Sequence, residues 1–286
     1  MQNEAFTLYS PVRRDTSVIF SSPHSGRDYS AAFLGTSVLD PQVIRSSEDA
    51  FVDDLFRAAP DHGAPLIAAR APRAFIDLNR AVDELDPGVI EGVARSPHNP
   101  RVASGLGVIP RVVAGGRAIY SGKLTLAEAE DRLHRHWRPY HGALKQLTEQ
   151  AHLEFGKAVL IDCHSMPHEA IESHARPGAP HPQVVLGDRF GAAAGRDVID
   201  RIEAAFVRAG LRVSRNAPFA GAYITQAFGR PSRGYHVVQV EIDRALYMDE
   251  ARIIPSPGFD AFRALLTGVI AEIAEIGRIA LPLAAE

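Results

Sequence analysis

Short apolar runs rich in β-branched residues recur along this chain. Between several of them, apolar residues return every three or four positions instead. The runs Val18 to Phe20, Pro65 to Ala69, Ala74 to Leu78, Ala158 to Asp162, Val184 to Leu186, Leu211 to Ser214 and His236 to Ile242 read as strands. Ser46-Ser47-Glu48-Asp49 reads as a helix start, with Ser46 three residues before Asp49 as in a capping box. Phe51, Val52, Leu55 and Phe56 continue it as a helical stripe. Thr125 to Phe155 is the longest helical pattern; Thr125 and Glu128 form a cap signature, and Pro139 predicts a kink or break midway. Asp197 to Ala209 and Phe259 to Ile276 complete the helices. Strands alternating with helices predict an α/β fold, a mostly parallel sheet covered on both faces.

Two stretches break the pattern. Asp86 to Gly122 is rich in Gly, Pro, Ser and Arg with little periodicity, and is either a functional loop or a surface excursion without direct chemistry. His168 to Pro182 is a second such loop, framed by Pro167, Pro177, Pro180 and Pro182. No repeat, low-complexity tract or linker interrupts the chain, so residues 1–286 are expected to form a single domain.

Composition narrows the function classes. The 286 residues are 46% hydrophobic and 23% charged, an ordinary globular balance. The formal charge of −3 and a pI near 6.5 favour neither nucleic acid nor an anionic membrane as partner. The single cysteine, Cys163, excludes an intrachain disulfide and a multi-cysteine zinc site. No secretory signal is visible at the N-terminus and no apolar run approaches a membrane span, so a cytoplasmic location is expected.

The chemistry concentrates where strands end. His24 follows the first run and His164 follows Ala158 to Asp162, each where a strand gives way to a loop among small residues. Ligands of open α/β sheets bind at the carboxyl ends of strands, so two imidazoles delivered there can converge on one metal ion. A lone histidine at such a place is more often packed or hydrogen-bonded; it is the matched pair that points to a metal. Asp49 is the best acidic partner and Glu48 its rival, since successive helix residues point about 100° apart. Other histidines are less suited: His134, His136 and His141 lie on the long helix, and His168, His174 and His181 in the proline-rich loop. Cys163 beside His164 should pack into the core, because adjacent strand residues face opposite ways.

Three further segments carry polar groups. Asn79-Arg80, read as the end of the Ala74 to Leu78 strand, suits an anionic substrate, since a guanidinium binds a carboxylate bidentately. The alternative is a surface arginine paired with Asp77, Asp83 or Glu84. Glu241 interrupts an apolar run, as a general base would; alternation with Gln239 and Asp243 fits a solvent-facing edge strand equally well. Gly221 allows a tight turn and Tyr223 can offer a phenol to the site. No glycine-rich nucleotide loop and no Gly-x-Ser-x-Gly nucleophile elbow is present.

Seven pieces in this order carry a resemblance: Ser22-Pro23-His24-Ser25-Gly26, Glu48-Asp49, Asp77-Leu78-Asn79-Arg80, Trp137-Arg138-Pro139-Tyr140-His141, Asp162-Cys163-His164-Ser165, Gly221-Ala222-Tyr223-Ile224-Thr225 and Gln239-Val240-Glu241. From about Ser17 to Met248 the chain resembles the N-formylglutamate amidohydrolase family, itself similar to zinc carboxypeptidases and aspartoacylases. The resemblance implies a three-layer phosphorylase/hydrolase-like fold with a central mixed, mostly parallel sheet flanked by helices. It implies one Zn²⁺ per chain on His24, Asp49 and His164, although an N/O ligand set admits another divalent ion. It gives Glu241 the role of general base and acid, and Asn79 and Arg80 the substrate carboxylate. On that mechanism Arg73 is expected to help the metal stabilise the oxyanion, and Tyr223 to close over the substrate. The implied reaction converts N-formyl-L-glutamate to formate and L-glutamate, the closing step of one histidine-degradation route. The partner is then a small acidic N-acyl amino acid. In zinc carboxypeptidases a glutamate follows the first histidine after two residues; Arg27 stands there instead, so the acidic ligand must come from elsewhere. Ala222 replaces a glycine common in the family. Two other readings stay open: a zinc amidase or carboxypeptidase-like enzyme acting on another N-acyl amino acid or peptide, and a metal-free protein that holds a carboxylate on Asn79 and Arg80.

Overall fold

The computed structural model describes residues 4–94, 99–172 and 181–279. In chain order its strands are β1 (Phe6–Tyr9), β2 (Val18–Ser22), β3 (Leu66–Ala69), β4 (Val112–Val113), β5 (Arg117–Ala118), β6 (Ala158–Met166), β7 (Val184–Gly187), β8 (Val213–Arg215), β9 (Tyr235–Asp243), β10 (Met248–Asp249) and β11 (Ile254–Pro255). One seven-stranded sheet runs β1-β3-β2-β6-β9-β7-β8, and β4–β5 and β10–β11 are separate ribbons. The β3–β2, β2–β6, β6–β9 and β7–β8 pairs are parallel; β1–β3 and β7–β9 are antiparallel. The helices are α1 (Ala31–Thr36), α2 (Val52–Leu55), α3 (Pro100–Ala103), α4 (Leu126–Arg132), α5 (Arg138–Phe155), α6 (His168–Glu172), α7 (Arg196–Arg208), α8 (Tyr223–Phe228) and α9 (Phe259–Ala274). This is the mixed, mostly parallel α/β sheet expected, with helices flanking it.

The period of two along a strand divides the core. Phe20, Ile161, Cys163, Val238 and Val240 face one layer, packed with Ile202 and Phe206 of α7 and Leu266 and Ile270 of α9. Ile19, Leu160 and Val237 face the other, packed with Tyr140 and Leu144 of α5. Fully burying one such side chain contributes about 1.5–3 kcal/mol, and β2, β6 and β9 are rich in them because water reaches neither face. On the second face, the same parity continues from Leu160 to Asp162 and His164, and from Val237 to Gln239 and Glu241. The apolar pattern gives way to polar residues just where the strands end.

Thr125 caps α4 as expected: its hydroxyl accepts from Glu128 N at 3.2 Å, and Glu128 Oε2 accepts from Thr125 N at 2.8 Å. The break expected at Pro139 is absorbed by a π-helical turn over Leu133–Trp137, after which Pro139 sits in the first turn of α5.

Three expectations fail. Ala74 to Leu78 is not a strand but a series of turns, since Phe75 N and Ile76 N both bond back to Pro72 O. Its alternate apolar residues are buried without pairing into a sheet, so Asn79 and Arg80 sit in a loop rather than at a strand end. Ser46 starts no α-helix; it lies in a 3₁₀ turn, Val43–Ser47, after which Glu48 is extended and α2 begins only at Val52. The sequence reading also lacks β1, a four-residue antiparallel edge strand too short for its alternation to register. The proline-rich stretch is not loop from its start, since His168–Glu172 form α6; His174, Pro177 and Pro180 lie outside the described residues, as do residues 95–98 of the long excursion. Among the described residues no helix is long and apolar enough to cross a membrane.

Candidate active site

Four segments meet at the carboxyl end of the central strands. His24 lies in the loop after β2, Asp49 in the link to α2, His164 near the end of β6, and Glu241 near the end of β9. His164 and Glu241 are register partners on adjacent strands, so their side chains stand side by side. The backbone N–H of Asp49 donates to His24 O at 3.0 Å, tying two of these segments together. Gly26 explains the small residues after His24: a Cβ there would lie 2.1 Å from Ala71 O, so only glycine lets this loop seat against residues 70–71.

His24, Asp49 and His164 offer ligand atoms within 4.8 Å of one another, all buried. Asp49 Oδ2 lies 3.0 Å from His164 Nδ1 and 3.5 Å from His24 Nδ1. Nitrogen or oxygen ligands about 2.0–2.1 Å from a zinc ion stand about 3.3 Å apart in a tetrahedral shell, which these separations match. Each imidazole has its far nitrogen engaged by a carboxylate: His24 Nε2 by Asp77 Oδ1 at 2.7 Å, and His164 Nε2 by Asp162 Oδ2 at 3.0 Å. An ionised carboxylate only accepts, so the proton sits on Nε2 of His24 and Nδ1 keeps its lone pair. That buried Nδ1 has no hydrogen-bond partner among the described residues. An orphaned imidazole nitrogen beside a carboxylate and a second imidazole is a donor set that could hold a divalent ion, and the residues fit one.

The electrostatics are those of buried, opposed charges. Burial would raise the Asp49 carboxyl, but the His164 and His24 bonds and charges outweigh it and hold it well below the usual range. Burial acts likewise on Asp77, where His24 and then Arg73 reverse it. Burial would lower the His164 imidazole; Asp162 and Asp49 raise it well above its ordinary value. Burial pushes Glu241 up to about 7, with His164 opposing. Its Oε1 accepts from Gln239 Nε2 at 2.8 Å. Because β9 lies between β6 and β7, Glu241, Gln239 and Asp243 are buried and the edge-strand alternative fails.

These residues open onto a cavity of about 560 Å³. Arg73, Asn79, Arg80 and Arg244 line it, with Phe219 to Ala222 on one side. The long excursion supplies another wall through Arg101, Ser104, Leu106 and Val112, so it is more than a surface loop. Arg80 is buried, not paired at the surface; its Nε donates to Leu106 O at 2.9 Å and its Nη1 to Asn79 O at 3.0 Å. Asn79 is committed inward: its Nδ2 donates to Asp162 Oδ2 at 3.0 Å and its Oδ1 accepts from Ile224 N at 2.7 Å. Arg73 Nε donates to Asp77 Oδ2 at 3.0 Å. Glu48 turns away to Arg45 and the Tyr29 hydroxyl, which separates it from Asp49. Tyr223 departs from expectation: it is not among the cavity residues, and its ring packs on Trp137 and His141 at centroid distances of 5.9 and 5.4 Å. The turn before it is as expected, with Gly221 at a φ of 107°.

Sequence reasoning missed three supports. Asp162 was legible by parity, two residues before His164 on the same strand. Asp77 was read only as a partner for Arg80. Arg244 was not singled out; its Nη2 donates to Asp49 Oδ1 at 2.9 Å and its Nε to Ser165 Oγ at 3.1 Å. Nothing local in the sequence points to either contact.

Comparison with known proteins identifies the family. Residues 16–248 match the family model of N-formylglutamate amidohydrolase. N-formylglutamate deformylases of Pseudomonas putida and Pseudomonas aeruginosa are 29% and 30% identical over 242 residues, each match covering 82% of this chain and 82% of the relative. The crystal structure of N-formylglutamate amidohydrolase from Ralstonia eutropha JMP134 is similar with a TM-score of 0.89 and 36% identity, over 96% of this chain and 99% of that chain. A gene product of Agrobacterium tumefaciens at 16% identity and a TM-score of 0.64 shares the fold. A family model spanning most of the chain, and a structural relative matched almost end to end, place this protein in the N-formylglutamate amidohydrolase family, hydrolases of linear amide C–N bonds.

Proposed function

We propose that the chain is a metal-dependent amidohydrolase that cleaves N-formyl-L-glutamate to formate and L-glutamate. The observation that carries this reading is the buried His24, Asp49 and His164 group beside Glu241, in a chain whose relatives are N-formylglutamate deformylases. His24 Nδ1, Asp49 Oδ2 and His164 Nδ1 would hold one Zn²⁺ or a similar divalent ion. When bound, the ion supplies a Lewis acid that acidifies water and polarises an amide carbonyl.

The protein's own groups do the rest. Gln239 holds Glu241 Oε1, which leaves Oε2 to take the proton from the attacking water. The same oxygen returns that proton to the departing amine nitrogen as the C–N bond breaks. A carboxyl raised by burial to about 7 suits both transfers near neutral pH. Arg73, fixed by Asp77, lines the cavity, and its role would be to face the negative charge that develops on the carbonyl oxygen. Arg80 takes a substrate carboxylate and fixes the amide in register. Asn79 acts mainly by holding Asp162 and the start of α8.

The test is metal content of the purified protein, with formate release from N-formyl-L-glutamate assayed before and after chelation. About one zinc per chain, with activity lost on chelation and restored by zinc, is the expected result. Formate release that survives complete metal removal overturns the metal role. A zinc-loaded protein that releases no formate overturns the substrate.

A further inference from the structure

The cavity holds four arginines, and they divide into two kinds. Arg73 is neutralised by Asp77 at 3.0 Å and Arg244 by Asp49 at 2.9 Å. Arg80 and Arg101 form no ion pair among the described residues, although both line the same space. Arg80 spends two donors on carbonyls, out of the five N–H groups of a guanidinium. Burial lowers its pKa, with Arg73 and Arg101 acting in the same direction and Asp77 against them. Two like charges near one another, neither of them ion-paired among the described residues, make a site for anions of a ligand.

We propose that Arg80 and Arg101 form a two-point clamp for a dicarboxylate, in which Arg101 recognises the side-chain carboxylate of the N-acyl amino acid. The proposal deepens the reading of the site as an amidohydrolase and rests on it. The scissile nitrogen is bonded to the α-carbon, so the α-carboxylate must lie close to the reacting amide. Arg80 adjoins Asn79, whose amide touches Asp162, the carboxylate behind His164. That puts Arg80 on the side of the reacting groups and leaves Arg101, exposed at the rim, for the distal carboxylate.

Arg101 is not a loose surface group by placement. It lies in α3, where Asn99 Oδ1 caps the backbone N–H groups of Arg101 at 3.0 Å and Val102 at 3.3 Å. The excursion that carries it is pinned by Arg111 on Asp86 at 2.8 Å and by Val108 N on Glu84 O at 2.9 Å. Arg80 itself binds the same segment through Leu106 O. The Arg80 guanidinium and the backbone of Arg101 are thus tied to one hydrogen-bonded segment, which limits the span a ligand must bridge.

The experiment compares N-formyl-L-glutamate with N-formyl-L-glutamine, which replaces the distal carboxylate by an uncharged amide of the same shape. Zinc-loaded wild type, Arg101→Gln and Arg101→Lys are assayed, and binding of L-glutamate and L-glutamine to each is measured by calorimetry. Wild type should prefer the glutamate substrate. Arg101→Gln should shrink that preference by about ten- to a hundredfold, the scale of hydrogen bonds to a charged group. The loss should fall on KM for the glutamate substrate rather than on kcat, with Arg101→Lys between. A preference that persists in full in Arg101→Gln, with formate still released, overturns the clamp and keeps the reaction. A protein that releases no formate but binds L-glutamate over L-glutamine through Arg101 keeps the clamp and overturns the reaction. Absence of both turnover and selective binding overturns both.

Discussion

An imidazole serves a metal well only when its second nitrogen is occupied and its ring is held still. Asp77 and Asp162 do this for His24 and His164, and Arg244 does the equivalent for Asp49 by holding Oδ1 so that Oδ2 faces the two rings. On the proposed role, Asp77→Asn should weaken zinc affinity by about ten- to a hundredfold. Competition with a chromophoric chelator measures it, and an unchanged affinity removes Asp77 as a positioning residue. The histidines themselves were legible, because a polar residue at the end of a β-branched run is conspicuous. Their supports were not. Asp77 reaches His24 across 53 residues and Arg244 reaches Asp49 across 195, and nothing in a local pattern records a partner so distant.

The elements divide along the same line. β2, β6 and β9 announce themselves because burial on both faces demands apolar, β-branched residues, and the change to Asp162, His164, Gln239 and Glu241 marks their ends. The segment from Ala74 to Leu78 misleads because burial of alternate residues has two causes. Here turns anchored on Pro72 O curl the chain so that Asp77 can point back at His24. Glu48 and Asp49 mislead for a related reason: a helix start and a tight connection both favour small and acidic residues. The α4 start is the opposite case, since the capping box is local chemistry and the sequence states all of it. Thr125→Ala should cost about 1 kcal/mol in urea unfolding and leave zinc affinity unaltered. A loss of metal affinity there would show that α4 and the site are coupled.

At the scale of the molecule, acid stability has an identifiable contributor outside the site. His141 is buried among Trp137, Tyr140, Tyr223 and Phe228, with Nε2 donating to Leu78 O at 2.8 Å. Burial lowers its pKa to about 4 from an ordinary 6.5. Between those values the unfolded chain takes up a proton that the folded protein refuses. The contribution is therefore fully present above about pH 6.5 and is lost as pH falls toward 4, by up to about 3 kcal/mol. His141→Gln keeps a donor for Leu78 O but cannot titrate. Its unfolding free energy, measured in urea from pH 7 to pH 4.5, should decline less steeply than that of wild type. Parallel profiles would show that the fold does not hold His141 below its ordinary value.

Cys163 gives the molecule one further property. The chain's single thiol faces the apolar layer, fully enclosed, while its neighbour His164 faces the cavity. A thiol reagent in solution therefore meets nothing on the folded protein, however the cavity is filled. It gains access only when the helical layer lifts from that face or β6, the central strand, leaves the sheet. Labelling at this one sulfur is then a clock for global opening, built in without engineering and blind to events confined to the cavity.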